Sequence, residues 1–133
     1  MIIKILIVED NDEFRGVLRN FLETQNLDFE IYETSSGELA ITEALAKRPE
    51  IILMDVRLPQ MNGIEAAKHI KMKLPESKII ILTMFELPEF EQSNQHEIVS
   101  AFVSKGELYD RLIPVMQKCL NGKHKKDAYW SFS

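Results

Sequence analysis

Apolar residues follow two alternating patterns along the chain: short unbroken runs, and longer stretches in which they recur every three or four positions. The runs at 5–8, 51–54 and 79–82 are wholly apolar, which is typical of strands buried on both faces of a parallel sheet. The run at 29–33 alternates less cleanly and indicates a half-exposed edge strand, and 101–103 indicates a brief further strand. The pattern predicts five strands separated by helices.

The first two helices are predicted from their end signals and from an apolar face. Asp12 is a candidate N-cap for the first helix, which Asn26 is expected to end. Ser35 and Glu38 resemble a capping box ahead of a second helix over 39–47. The apolar face of the first helix consists of Phe14, Val17, Leu18, Phe21 and Leu22.

The later helices differ in how clearly the sequence marks them. A third helix is predicted after the turn at Asn62-Gly63, with Pro75 after it. The segment 84–97 is mostly polar and predicts only a short, weakly held helix. The last helix is expected to end near Gly122, and Pro114 would bend it unless the helix restarts there. Its apolar face consists of Leu108, Leu112, Val115 and Cys119.

Strands that alternate with helices through short loops favour a parallel sheet covered on both faces. The predicted fold class is therefore α/β, a doubly wound (βα)5 three-layer sandwich with a five-stranded parallel sheet. Because the crossovers between parallel strands are right-handed, all the strands end at the same edge of the sheet. The residues that directly follow the strands are expected to lie close together there.

Composition limits the classes of function without choosing one. The chain has 133 residues and a net charge of -5, which favours a single domain and argues against direct binding of nucleic acid by electrostatic attraction. Cys119 is the only cysteine, so an intramolecular disulfide is excluded. The apolar start of the chain is too short to cross a bilayer and lacks a signal-peptide cleavage pattern. We expect a cytoplasmic domain without membrane contact.

Chemically active side chains follow four of the five predicted strands. Glu9 and Asp10 follow the first run, Asp55 follows the run at 51–54, Thr83 follows the run at 79–82, and Lys105 comes after the last strand. Three carboxylates brought together repel one another, and a bound cation would offset that repulsion. Oxygen ligands with retained waters favour Mg2+ over zinc, and none of the three histidines has the spacing of a metal ligand.

The same group of residues is suited to hold a transferred phosphoryl group. Mg2+ and Lys105 would neutralise the phosphoryl oxygens, Thr83 would donate a hydrogen bond to one of them, and Asp55 would be the nucleophile that forms an acyl phosphate. Each residue also has a structural explanation, since Asp55 alone could begin a loop and Lys105 alone could be a solvated lysine. Their combination at one sheet edge favours the functional interpretation.

Taken together, these positions resemble the receiver domain of bacterial two-component response regulators, over nearly the whole chain from Ile5 to about Leu120. The resemblance implies a flavodoxin-like sheet of strand order 2-1-3-4-5. It predicts a receiver domain over residues 1–122, followed by a tail or the start of a linker over 123–133. The matching residues are Glu9-Asp10, Asp55 within the segment 54–59, Asn62-Gly63, Thr83 and Lys105.

The resemblance also implies a ligand set and a reaction. Asp10, Asp55 and the backbone carbonyl of Arg57 would hold Mg2+, with Glu9 in a supporting role. A sensor histidine kinase or phosphotransfer protein would donate the phosphoryl group to Asp55. The chain would phosphorylate and dephosphorylate itself as a signalling switch rather than act as a turnover enzyme.

The expected output is a change in the partner-binding surface. Phe102 matches the aromatic position that swings inward when Thr83 is drawn towards the phosphoryl group. A homodimer would use the face formed by the fourth predicted helix (84–97), the fifth strand and the fifth and last predicted helix. The segments 83–85 and 105–106 resemble receivers joined to helix-turn-helix DNA-binding domains, which points to control of transcription. Only 11 residues follow Gly122, so the chain is expected to be either a stand-alone receiver or a fragment that stops within a linker.

Three departures from the receiver pattern affect these expectations. Gly106 follows Lys105 where receivers commonly have a proline after a cis bond, so the geometry of that loop is an open question. The residues at 97–99 are larger than the small ones that usually precede the fifth strand, which predicts an unusual output face. Met84 is bulky where some receivers are small, and we expect it to restrict water at the acyl phosphate and prolong the phosphorylated state.

Two alternatives from other functional classes have weaker support. A Mg2+-dependent phosphohydrolase with Asp55 as nucleophile would need a second aspartate two residues later as acid and base, and Arg57 stands there. A flavin-binding module of similar topology would need a Ser/Thr/Gly-rich phosphate loop after the first strand. The acidic segment 9–12 stands in that place and would repel a phosphate without a metal.

Overall fold

The computed structural model describes residues 2–84 and 98–121, and these form a three-layer α/β sandwich. Five parallel strands make one sheet in the described part of the chain, in the order β2-β1-β3-β4-β5, as predicted. The strands are β1 (Ile3–Val8), β2 (Phe29–Thr34), β3 (Ile51–Asp55), β4 (Lys78–Thr83) and β5 (Ala101–Ser104). The helices are α1 (Asp12–Glu23), α2 (Gly37–Lys47), α3 (Gly63–Lys73) and α4 (Leu108–Asn121).

Two apolar cores, one on each face of the sheet, explain the unbroken apolar runs. Side chains alternate between the faces of a strand, so Ile5 and Ile7 pack on the side of α1 and α4, while Leu6 and Val8 pack on the side of α2 and α3. The strands β3 and β4 alternate in the same way, and the residues of β3 are all buried. Strand β2 lies at the edge of the sheet and is half-buried along most of its length, as its mixed pattern predicted.

The structure corrects the ends of the first two helices by one to three residues. Asn11, not Asp12, caps α1, because its side-chain oxygen accepts a hydrogen bond from the backbone N–H of Phe14 at 2.8 Å. Helix α1 ends at Glu23 rather than at Asn26. Ser36, not Ser35, caps α2, accepting from the backbone N–H of residue 39 at 3.2 Å, so this helix begins at residue 37.

Other expected features of the chain are placed as follows. Asn62 caps α3, and α4 continues through Pro114, which lies on its exposed side. The Lys105–Gly106 bond is trans, and residues 105–107 form a single turn of 310 helix. Three predicted features lie outside the described residues: the short helix over 84–97 except for residue 84, the helix end at Gly122, and the tail. No helix within 2–84 or 98–121 is long and apolar enough to span a membrane.

Candidate functional site

Parallel strands bring four of the predicted site residues to one edge of the sheet. Glu9 directly follows β1, Asp55 ends β3, Thr83 ends β4 and Lys105 directly follows β5. Glu9, Asp55 and Thr83 are buried, with relative exposures of 2%, 7% and 1%. Alternation along the strands places Glu9 and Asp55 on the α1 side of the sheet and Thr83 on the α2 and α3 side. The edge therefore joins groups from both faces.

The Lys105 ammonium lies between two of the carboxylates. Its Nζ donates a hydrogen bond to Glu9 Oε1 at 2.7 Å and lies 3.6 Å from Asp55 Oδ2. The lysine side chain is only 9% exposed, so these charges interact through a poorly hydrated environment in which they are screened less than at the surface. On another side, the ammonium lies 4.3 Å from the centroid of the Phe14 ring.

Glu9 is held by the backbone around it as well as by Lys105. Its Oε2 accepts a hydrogen bond from the backbone N–H of Asn11 at 3.1 Å, and its carbonyl oxygen accepts one from Arg15 Nη1 at 2.7 Å. Burial raises the pKa of the Glu9 carboxyl above its ordinary value, while the hydrogen bonds from Lys105 and from Asn11 lower it in opposition. The side chain is thus confined to one orientation beside Asp55.

The loop after β3 holds Asp55 through close backbone contacts. Asp55 Oδ1 accepts a hydrogen bond from the backbone N–H of Arg57 at 3.3 Å, and the N–H of Gly63 donates to the carbonyl of Val56 at 2.8 Å. A Cβ added at Gly63 would lie 2.2 Å from the carbonyl oxygen of Asp55. Gln60 has a left-handed backbone, with φ at 69°, which helps the loop to turn back towards α3. The fit of this loop therefore fixes the position of Asp55.

The acidic cluster fits a hard divalent cation. Glu9, Asp10 and Asp55 each offer a carboxylate oxygen, and these three atoms lie within 4.8 Å of one another. Asp10 is exposed, unlike the other two, which leaves a side of the cluster on which an ion could keep waters, as Mg2+ prefers. Carboxylate oxygens with neither cysteine nor histidine among them suit Mg2+ better than zinc. The three carboxylates that were predicted to surround Mg2+ therefore lie close together. The Arg57 carbonyl remains a predicted ligand.

Thr83 and Phe102 share one face of the sheet at the edge beside this cluster. In the β4–β5 register, Phe102 pairs with Ile81. Thr83 lies two residues after Ile81 on the same strand, so Thr83 and Phe102 both project towards the α2 and α3 side. Phe102 is half-buried and packs against the apolar core on that side. Met84 follows Thr83 with 69% of its surface exposed. It lines an open groove of about 790 Å3 together with Asp55, Asp10, Lys105, Phe14 and Val17.

Sequence reasoning missed three contributors to the site. The sequence pattern places Phe14 on the apolar face of α1, yet its ring also contacts the Lys105 ammonium. Asn11 and Arg15 have no predicted role at the site, although both donate hydrogen bonds to Glu9. A usable signal was proximity in sequence, because a helix that begins directly after an acidic strand end presents its first turn to the site. The direction of each side chain could not be read from spacing alone.

Comparisons with known proteins agree with this geometry. The sequence model of the response regulator receiver domain matches residues 5–117. Response regulator protein VraR of Staphylococcus epidermidis is 42% identical over 86 residues, which cover 64% of this chain and 41% of that protein. The chain therefore matches less than half of the length of that relative.

Solved structures of response regulators have the same fold. A two-component response regulator of the LuxR family from Aurantimonas sp. is 25% identical with a TM-score of 0.83, covering 92% of this chain and 87% of that one. A DNA-binding response regulator of the LuxR family from Staphylococcus aureus is 26% identical with a TM-score of 0.78, covering 88% and 98%. With the family match extending over most of the described residues, the chain belongs to the response regulator receiver domain family.

Proposed function

We propose that the domain is a Mg2+-dependent phosphoacceptor switch in which Asp55 receives a phosphoryl group within a two-component signalling system. The observation that carries the proposal is the arrangement of Lys105 between Glu9 and Asp55, beside a cluster of three carboxylates. An isolated aspartate at a strand end would need neither the ammonium nor the other two acids. The receiver domain itself is residues 1–122, and the residues after it belong to a tail or linker.

The phosphoryl donor is a phosphorylated histidine of a sensor histidine kinase or a phosphotransfer protein. A carboxylate oxygen of Asp55 forms a bond to phosphorus while the phosphorus–nitrogen bond of the donor breaks. The imidazole nitrogen keeps the bonding electron pair, and Asp55 becomes an acyl phosphate. Water later attacks the phosphorus, which releases inorganic phosphate and restores the carboxylate. The domain cycles between two states and acts as a switch.

The residues around Asp55 stabilise the charge that is transferred. Lys105 lies 3.6 Å from Asp55 Oδ2, within reach of a phosphoryl oxygen bonded to that carboxylate. Thr83, buried at the end of the neighbouring strand, donates a hydrogen bond to another phosphoryl oxygen. When bound by Asp10, Asp55 and the Arg57 carbonyl, with Glu9 in support, Mg2+ supplies positive charge that offsets the charge of these oxygens.

The signal leaves the site through Thr83 and Phe102. Movement of Thr83 towards the phosphoryl group opens space on the face of the sheet that Phe102 shares, and inward rotation of that ring changes the surface beside β5. That surface, with α4, is the proposed face for a partner or a second copy. Control of transcription through a separate DNA-binding domain is supported by the similar structure from Staphylococcus aureus, whose protein is named a DNA-binding response regulator. The receiver domain itself binds no nucleic acid in this proposal.

Phosphoryl uptake by the purified chain tests the proposal. Incubation with acetyl phosphate or phosphoramidate and Mg2+ is expected to add the mass of one phosphoryl group per chain, measured by intact mass spectrometry. Removal of the metal with EDTA is expected to slow uptake by about 100-fold or more, because the acidic cluster then repels the incoming phosphoryl oxygens. A chain that takes up no phosphoryl group from either donor, or takes it up equally in EDTA, would contradict the proposal.

Replacing Met84 with alanine is expected to shorten the life of the phosphorylated state. Met84 borders the groove that contains Asp55, so a smaller side chain gives water better access to the acyl phosphate. Dephosphorylation should become roughly threefold faster, which corresponds to a barrier change of less than about 1 kcal/mol. The loss of the phosphoryl label after removal of the donor gives the dephosphorylation rates of the unaltered chain and of Met84→Ala. Met72→Ala is the control, because Met72 is 81% exposed and lies on α3 away from the groove. Equal rates in Met84→Ala and the unaltered chain would refute this role.

A further inference from the structure

The first turn of α1 contributes an aromatic ring to the site. Phe14 lies three residues after the helix cap Asn11, to which its backbone N–H donates a hydrogen bond at 2.8 Å. Its ring is half-buried and packs against the apolar core on the α1 side of the sheet. The face of the same ring lies under the Lys105 ammonium, with 4.3 Å between Nζ and the ring centroid. This contact joins the start of α1 to the turn after β5.

The ring and the carboxylates hold the ammonium in different ways. Glu9 Oε1 accepts a hydrogen bond at 2.7 Å, whereas Asp55 Oδ2 at 3.6 Å lies beyond ordinary hydrogen-bond distance. The ring attracts the positive charge through its quadrupole and carries no charge of its own. It therefore restrains the ammonium without placing a further negative charge beside it.

Restraint matters because a lysine side chain has four flexible bonds and loses much rotamer entropy when it is fixed. A lysine held only by Glu9 could rotate about that single hydrogen bond and sample positions away from Asp55. The ring blocks one side of the ammonium, and the cap at Asn11 fixes the start of the helix that carries the ring. The short segment from Glu9 to Phe14 thus supplies both the anionic and the aromatic contact.

We propose that Phe14 is a positioning residue for phosphoryl transfer, whose ring holds the Lys105 ammonium over Asp55 through a cation–π contact. The inference rests on the proposed function, because it assigns Phe14 a task in that same reaction. In this role Phe14 acts through Lys105, whose ammonium its ring contacts. A purely structural Phe14 would affect the stability of α1 and leave Lys105 where it is.

The decisive variant is Phe14→Leu, which keeps an apolar side chain in the core and removes the ring. Phe14→Met serves the same purpose if the leucine variant does not fold, and Phe14→Tyr restores an aromatic face. Phe21→Leu is the matched control: Phe21 also lies on α1 and packs against the same core, but its ring contacts Tyr109 edge-on at 5.1 Å between centroids. The rate of uptake from acetyl phosphate is measured at saturating Mg2+ on the full chain.

We expect uptake in Phe14→Leu to be about fivefold slower than in the unaltered chain, the loss appropriate to a partly buried cation–π contact. Phe14→Tyr should recover most of the rate, and Phe21→Leu should keep it although its unfolding midpoint falls. A second readout follows Lys105 directly by NMR, with its signals identified from Lys105→Arg. The ε-methylene protons are expected upfield in chains with an aromatic residue at position 14 and at ordinary lysine positions in Phe14→Leu.

The outcomes separate this inference from the proposed function. If the unaltered chain takes up a phosphoryl group and Phe14→Leu does so at the same rate, the positioning role is overturned and the switch stays intact. A Phe14→Tyr variant that is as slow as Phe14→Leu has the same consequence. Lys105 signals that do not change when the ring is removed overturn it as well. Failure of the unaltered chain to take up a phosphoryl group removes the proposed function, and the positioning role falls with it.

Discussion

Replacing Asp55 with asparagine is expected to abolish phosphoryl uptake, reducing its rate by at least about 1,000-fold. The amide oxygen has the size of the carboxylate oxygen and can still accept the hydrogen bond from the N–H of Arg57, so the loop after β3 is expected to keep its shape. It lacks the negative charge and the nucleophilicity that attack at phosphorus requires. Intact mass spectrometry after incubation with acetyl phosphate and Mg2+ measures the loss.

The matched control for this substitution is Asp12→Asn. Asp12 also lies at this edge of the sheet and borders the same groove, but its side chain is 88% exposed and pairs with Arg15 at 2.5 Å. Its loss removes the same negative charge and leaves the proposed phosphoacceptor in place, so uptake should stay within about twofold. Label retained at full stoichiometry in Asp55→Asn would show that another residue is the acceptor, and equal loss in both variants would indicate a general charge effect.

The sheet was predictable because burial on both faces leaves a strong mark on a sequence. An unbroken apolar run such as 51–54 is typical of a strand whose alternate residues meet two separate cores, and the structure places these residues in that way. The right-handed crossover rule then brings the strand ends together without further information. The order of the strands needed the resemblance to receivers, since alternation of strands and helices alone fits several orders.

Helix ends were less predictable because neighbouring residues compete for the same role. Asn11 and Asp12 can both cap a helix, as can Ser35 and Ser36, and the choice depends on which residue adopts an extended backbone. Asn11 and Ser36 do so, with ψ at 112° and 161°. That choice is set by the loop leaving each strand, which the sequence near the cap does not specify.

The charged residues of the candidate site could be predicted from the sequence, but the contacts between their side chains could not. Residue type and strand position identified Glu9, Asp10, Asp55 and Lys105, because all four lie at or just after the ends of strands that meet at one edge of the sheet. The aromatic contact of Phe14 could not be inferred, since an apolar residue in the first turn of a helix has an adequate explanation in the core. Only the positions of both side chains distinguish a ring that packs from one that also holds a cation.

Replacing Gly63 with alanine is expected to lower the free energy of unfolding by about 3 kcal/mol and the unfolding midpoint by roughly 10 °C. The φ angle of Gly63 is not positive, so glycine is required here for space rather than for backbone conformation. An added Cβ would lie 2.2 Å from the carbonyl oxygen of Asp55 and 3.1 Å from Val56 Cα. Backbone atoms cannot rotate away as a side chain can, so the loop must move.

Movement of that loop should also impair phosphorylation, because the atoms displaced by the alanine belong to Asp55 itself. Gly16→Ala is the control: Gly16 lies within α1, nothing is within 4 Å of its added Cβ, and the substitution should stabilise the domain by about 0.5–1 kcal/mol. Thermal unfolding and the rate of phosphoryl uptake are compared for both variants, at a temperature at which both are folded. We expect slower uptake only in Gly63→Ala. A Gly63→Ala chain as stable and as reactive as the unaltered one would mean that Asp55 is not held by this close approach.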